Sequence, residues 1–215
     1  MSVDEKEDAA RKALRYVKPG MTIGLGTGST SACFIKLLGE KEQKKKLGLR
    51  CIATSVKSEG LARECGLNLV GFGEAGCIDL AVDGADVIVG RNLLKGLGGG
   101  AITREKAVDY RAAKFIVIAD KSKVKEVFGG IVAVEVLQFA ADAVKRELEG
   151  MGAKSAEFRM SEGKKFISDN GNFMLDAVFD GIPAPAKMER DLKLIPGVVE
   201  NGIFTRKCKV IVGGI

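Results

Sequence analysis

The apolar positions of this chain fall into two rhythms, and the change between them comes near residue 130. Before it, short apolar runs at 21–25, 49–53, 67–70, 78–82 and 114–119 read as buried strands. Helical stretches separate them. Ala10, Ala13, Leu14 and Val17 recur at helical spacing within 4–17, which Pro19-Gly20 stops, and the apolar run 32–38 reads as a helix ended by Gly39. Leu61 and Ala62 lie on a helix that Thr54 and Ser55 cap and Gly66 ends, and Thr103 caps another at 104–113. Strands and helices in alternation predict a parallel sheet with helices on both faces, an α/β domain of Rossmann-like form.

After Gly129-Gly130 the order becomes strand 131–136, helix 139–149, strands 156–160 and 173–179 around the turn at Asn170-Gly171, helix 186–194 and strand 199–204. This βαββαβ order predicts a smaller, ferredoxin-like α+β domain. Residues 209–212 read as a last strand returning to the first domain. The expected division is therefore 1–130 with 205–215 as the catalytic domain, and 131–204 as the smaller one.

In a parallel sheet, ligands lie beyond the carboxyl ends of the strands. GTGST at 26–30, Thr54-Ser55, Asp83 and Asp120 all fall there. Thr27, Gly28, Ser29 and Thr30 open a helix, so first-turn N–H groups and hydroxyls would hold an anion. Ser29 stands where a dinucleotide fingerprint needs its third glycine, and no GK[ST] follows, so a monophosphate fits better than NAD or ATP.

The densest chemistry lies in AVDGADVIVGRNLLKGLGGGAITREK, residues 81–106. A carboxylate such as Glu105 can take a carbon-bound proton and return it one atom away, while an ammonium such as Lys95 stabilises the oxyanion that forms. Asp83 and Asp86 can accept hydrogen bonds from sugar hydroxyls. Gly98, Gly99 and Gly100 let backbone N–H groups approach an oxygen-rich ligand. Asp-Gly and Gly-Gly are equally ordinary turn chemistry, which leaves a loop with solvated acids as the alternative. Glu105 would lie in a first helical turn beside Arg104 and Lys106, a setting that favours its ionised form, whereas a base is helped by desolvation.

Composition narrows the field. The chain has no histidine, which removes the Ser-His and Cys-His nucleophile arrangements and the commonest metal ligand. Five cysteines are scattered without a CxxC pair and read as reduced core fillers, so no metal site is expected. The net charge of +6 is interspersed with acids, and only two tyrosines and no tryptophan are present for stacking, so no nucleic acid partner is expected. The run EKEQKKK at 40–46 reads as a solvated surface. No apolar run is long enough for a membrane span, and MSVDEKEDAA is charged rather than signal-like, so no membrane contact and a cytoplasmic location are expected.

Several motifs in one order resemble a known family. GLGTGST, VDGAD, the Lys-Gly loop ending in TREK, IAD followed by Lys123, DNGN at 169–172 and IPGVVENGIF at 195–204 together resemble ribose-5-phosphate isomerase of the type A family. The loop from Lys95 to Glu105 is one residue longer than that family's pattern, and Val87 stands where the family often has an acid. The resemblance implies interconversion of ribose 5-phosphate and ribulose 5-phosphate through an enediolate, with no metal or organic cofactor. It assigns Glu105 to proton transfer, Lys95 to the oxyanion, Asp83 to ring opening and Asp86 to hydroxyls. Lys6 and Lys123 would join Ser29 and Thr30 on the phosphate; a solvated Lys6, and a Ser122 cap with exposed lysines, are the alternatives from the residues alone. A homodimer or homotetramer, with contacts through the smaller domain, is implied by the same analogy. A sugar-phosphate-sensing regulator and a coenzyme A transferase share parts of this pattern and would be told apart by turnover and by a covalent thioester on the glutamate.

Overall fold

The structure is a computed structural model that describes residues 3–214. Met1 and Ser2, on which the charged amino-terminal pattern partly rests, lie outside the described residues, as does Ile215. The chain divides into two compact units: Met1–Ala85 with Arg104–Lys123 and Lys207–Ile215, and Asp86–Thr103 with Val124–Arg206. Against the expected division, residues 86–103, 124–130 and 205–206 group with the second unit.

The first unit is built on a five-stranded sheet in the order Lys209–Val212, Ala112–Ala119, Ile78–Asp83, Thr22–Leu25, Arg50–Ala53, with every neighbouring pair parallel. Successive strand residues face opposite sides. Ile23 and Leu25 join Phe34 and Leu38 of helix Ser29–Lys45 and Ala9 and Ala13 of helix Val3–Ala13 in one buried cluster. Gly24, between them, faces the other way, where a Cβ would lie 2.4 Å from Val108 of helix Ile102–Asp109. Helices therefore cover both faces, as alternation predicts. Each large side chain buried this way contributes roughly 2 kcal/mol.

Several local expectations need correction. Gly39 does not end its helix, which runs on to Lys45; a Cβ there would sit 2.7 Å from Cys65 Cβ, so the glycine permits close packing instead. Residues 40–45 of the basic run thus lie on a helix. Residues 67–70 form only an isolated bridge, Cys51 to Leu69. Ser55 alone caps helix Val56–Glu64, in a reciprocal box with Ser58, while the Thr54 hydroxyl donates to Leu25 O at 3.1 Å. Thr103 lies inside the helix it was expected to cap, and that helix ends at Asp109 because Ala112 already pairs with Ile78 in the sheet.

The second unit carries a four-stranded antiparallel sheet in the order Val198–Asn201, Gly130–Val136, Phe173–Phe179, Ser155–Phe158. With helices Ala141–Gly150 and Pro185–Leu194 this is the ferredoxin-like arrangement. Val132, Val134 and Val136 pack with Val144, Leu148 and Leu192 of the helices. The alternate residues turn to the other face: Ala133 meets Ile102 and Met174, and Glu135 is fully buried.

Two pieces of this unit were not expected. Met160–Ser161 and Lys164–Lys165 form a small hairpin between the sheet strands. Residues 199–204 do not make one strand but two, because Gly202 separates Val198–Asn201 from Ile203–Phe204, which joins Asn92–Leu94 and Val87–Val89 in a third sheet.

Glu135 has four donors in place of water: Thr103 Oγ1 at 2.5 Å, Ser168 Oγ at 2.6 Å, Asn172 Nδ2 at 2.9 Å and Asn170 Nδ2 at 3.1 Å. The DNGN turn is thus tied to the sheet through a carboxylate. Glu135→Leu strands those donors, and we expect it to lower the unfolding free energy by about 3 kcal/mol, with Glu135→Gln costing less. Urea unfolding measures this; a loss below about 0.5 kcal/mol would mean that the donors find water instead.

Candidate active site

In the first unit the turn at 26–30 is shaped from beneath. Gly26 cannot be any other residue here, since a Cβ would lie 2.1 Å from Asp83 Oδ1. That oxygen accepts from the Thr27 N–H at 2.9 Å, the Gly84 N–H at 2.6 Å and the Ser31 hydroxyl at 3.3 Å. Asp83 is fully buried, so these bonds form in a low-dielectric setting where they are strong. Gly28 then takes φ +103, open to glycine, and helix Ser29–Lys45 begins with its first-turn N–H groups at the strand ends. Thr30 is nearly buried, and the Thr27 hydroxyl is bonded to that of Thr54 at 2.9 Å.

One lysine reaches this helix start, and a second shares a carboxylate with it. Lys6 Nζ donates to Ser29 Oγ at 2.8 Å, so Lys6 is aimed at the turn rather than at solvent. Asp120 is buried, and its Oδ1 accepts from the Ser122 N–H at 3.0 Å and the Ser122 hydroxyl at 2.5 Å. Asp120 rather than Ser122 therefore organises the turn that carries Lys123. Burial pushes the Asp120 carboxyl up, but the Ser122 hydroxyl and amide, with the charges of Lys123 and Lys6, outweigh it and hold the group below the usual carboxylate range. Both lysines thus act on the same carboxylate, whose Oδ2 has no hydrogen-bond partner among the described residues.

Glu105 lies in the first turn of helix Ile102–Asp109 and is 5% exposed. Lys106 and Asp109 on the same helix are also buried. Burial of three ionisable groups on eight residues is costly for a merely structural helix, since each charge gives up its hydration. The packing of Val108 on Gly24 fixes where this helix lies on the sheet.

The glycine loop belongs to the second unit. Hairpin strands Val87–Val89 and Asn92–Leu94 deliver Lys95, whose N–H donates to Gly202 O at 2.9 Å. Lys95 is 2% exposed, with Nζ 5.0 Å from the centre of the Phe204 ring, a cation–π distance. Asp86 braces the same loop: its Oδ2 accepts the Leu97 N–H at 3.0 Å. Gly96, at φ +99, has no room for a Cβ, which would lie 2.1 Å from Ile102 Cγ2. Gly98 and Gly99 are different, for a Cβ on either would meet nothing within 4 Å among the described residues.

Arg159 and Asp176 were not singled out from the sequence. Arg159 Nε donates to Asp176 Oδ2 at 3.0 Å and Nη2 to Oδ1, while Nη1 donates to Gly96 O at 2.7 Å and to Gly99 O at 2.5 Å. Only the period-two pattern of strand Phe173–Phe179, with Asp176 among apolar residues, could have hinted at it.

Residues 50–215 match the family model of ribose 5-phosphate isomerase A (phosphoriboisomerase A). The ribose-5-phosphate isomerase A of Methanothermobacter thermautotrophicus is 46% identical over 213 residues, which cover 97% of this chain and 93% of that protein. Ribose 5-phosphate isomerase A from Methanocaldococcus jannaschii superposes with a TM-score of 0.92 at 41% identity, covering 97% of this chain and 93% of that one. A D-ribose-5-phosphate isomerase in complex with phospho-erythronic acid gives the same TM-score at 44% identity and the same coverage. Near-complete coverage, shared architecture and this level of identity leave one assignment: the chain belongs to the ribose 5-phosphate isomerase A family.

Proposed function

We propose that the chain interconverts D-ribose 5-phosphate and D-ribulose 5-phosphate, as an aldose–ketose isomerase of the pentose phosphate pathway. The observation that carries this reading, beside family membership, is the convergence of Lys6 on Ser29 at the start of a helix whose turn is held by Asp83. A phosphate monoester suits that place: N–H groups, hydroxyls and an ammonium meet it without a second phosphate site. Thr27, Gly28, Ser29, Thr30, Lys6 and Lys123 take this role.

In the open-chain sugar the base removes the C2 proton, the electrons of the C1 carbonyl pass to O1 as an enediolate forms, the O2 hydroxyl proton moves to O1, and the base returns its proton at C1 as O2 becomes the ketone oxygen. Glu105 carries the proton. Its burial supports this, because a carboxylate stripped of water is a better base than a solvated one. Lys95 and the N–H groups about Gly98 and Gly99 stabilise the oxyanion. Asp83 serves ring opening and Asp86 the hydroxyls, although Asp83 Oδ1 is committed to shaping the turn, so any proton it handles goes through Oδ2.

Incubation with ribose 5-phosphate and spectroscopic detection of a ketose tests the reading, with arabinose 5-phosphate as control; no ketose would end it. Glu105→Gln should lower kcat by about 10²-fold or more while sugar phosphate still binds, as loss of a positioned base does. Wild-type turnover in that variant would remove Glu105 from the role.

The reaction needs neither metal nor organic cofactor on this reading. Among the described residues no group of three His, Cys, Asp or Glu is placed to hold a metal. Dialysis against a chelator should leave kcat unchanged; restoration by a divalent ion after loss would contradict it.

A homodimer or homotetramer in the cytoplasm is part of the same proposal. No helix among the described residues is long and apolar enough to cross a membrane. Phe139 is wholly exposed, Leu194 largely so and Leu137 half-exposed, all in the second unit, which supports subunit contacts there. Sedimentation should give a mass of two or four chains, reduced by Phe139→Glu; a monomer at micromolar concentration would refute it.

A further inference from the structure

We propose that Arg159 is a positioning residue for the isomerisation, holding the glycine loop so that its peptide N–H groups are ready for the oxyanion; this rests on the isomerase reading above. The residues 96–100, GLGGG, hold four glycines, and glycine loses more conformational freedom on ordering than any other residue. Such a loop needs an external hold. Gly98 and Gly99 are required neither by positive φ nor by crowding, since both have ordinary φ and open space where a Cβ would be. Glycine at such positions suits a backbone that a ligand approaches closely.

Arg159 supplies the hold. One guanidinium nitrogen, Nη1, takes the carbonyls of both Gly96 and Gly99, at 2.7 and 2.5 Å, and so closes the loop across three peptide links. In a trans peptide the C=O and N–H point in opposite directions. Fixing those two carbonyls on one side turns the N–H groups of Leu97 and Gly100 to the other. Asp86 Oδ2 takes the Leu97 N–H, so the loop is held from both sides and the Gly98–Gly99 stretch between the two fixed peptides is what remains to meet the oxyanion.

The guanidinium is itself aimed. Asp176 binds Nε and Nη2 as a fork, which leaves Nη1 pointing at the loop, and the arginine side chain is only 11% exposed. Its Cζ lies 6.0 Å from the centre of the Phe166 ring. The backbone is tied too, with the Arg159 N–H on Met174 O and the Phe166 N–H on Arg159 O, both at 2.8 Å. A lysine has one compact ammonium and could not satisfy a carboxylate fork and two carbonyls together.

A residue that only stabilised the fold would, when lost, affect all ligands alike. A positioning residue would spare the phosphate and harm the enediolate. Arg159→Lys, Arg159→Ala and Asp176→Asn test this, with kcat, KM, unfolding midpoint, and affinities for inorganic phosphate and phospho-erythronic acid, whose carboxylate resembles the enediolate oxygens. Both arginine variants should lose about 10²-fold in kcat, since misplacement of about an ångström costs that much. KM for ribose 5-phosphate and phosphate inhibition should change less than about threefold, while phospho-erythronic acid binding weakens at least about tenfold. Millimolar guanidinium ion should restore part of the Arg159→Ala activity. Asp176→Asn, which keeps the arginine but weakens its aim, should lose about tenfold in kcat and decides the matter if the arginine variants do not fold. Folded variants with kcat within about threefold of the parent, or with phosphate and phospho-erythronic acid weakened equally, would overturn the proposal. An unmodified chain that makes no ketose would instead overturn the isomerase reading.

Discussion

One carboxylate oxygen decides the shape of the first unit's functional end. Asp83 Oδ1 gathers the amides of Thr27 and Gly84 and the hydroxyl of Ser31, and in doing so joins the ends of two adjacent parallel strands to the start of a helix. Gly26 exists to admit it. Without that oxygen the turn would have one buried and two part-buried donors to satisfy elsewhere, the buried one at a cost of about 1–3 kcal/mol. The helix start, the aim of Lys6 at Ser29 and the setting of Lys123 beside Asp120 are arranged around a turn that this bond defines.

The second unit solves a different problem. Its glycine loop has little side-chain packing to hold it, so order comes from charged groups outside the loop: Arg159 with Asp176, and Asp86. Glu135 does the same for the DNGN turn and for Thr103. In both cases a buried charge is made tolerable by several short hydrogen bonds, and the geometry it imposes is narrower than apolar packing would give.

Much of this was legible in the sequence because it depends on local pattern. The parallel sheet follows from alternation of strand and helix, the ferredoxin-like order from the change of rhythm after Gly130, and the tight turn at 26–30 from glycine and hydroxyl residues between strand and helix. What was not legible depends on partners distant in the chain. Gly39 reads as a helix stop until Cys65 is seen against it, residues 199–204 read as one strand until Gly202 is found beneath Lys95 O, and nothing in the sequence singles out Arg159. Asp83 was singled out for chemistry, and its hold on Gly26 and Thr27 is equally a matter of a contact no spacing rule anticipates.

The pairing of Ile203–Phe204 with Leu93–Leu94 has a bearing on how the protein is made. During synthesis the hairpin that precedes Lys95 leaves the ribosome more than a hundred residues before the strand that completes its sheet and the Phe204 ring that covers its ammonium. The larger sheet likewise waits for Lys209–Val212 to finish its edge. A nascent chain therefore holds this hairpin and Lys95 without their final cover until residues 203–204 have emerged, so the burial of that ammonium is among the later events of folding during synthesis.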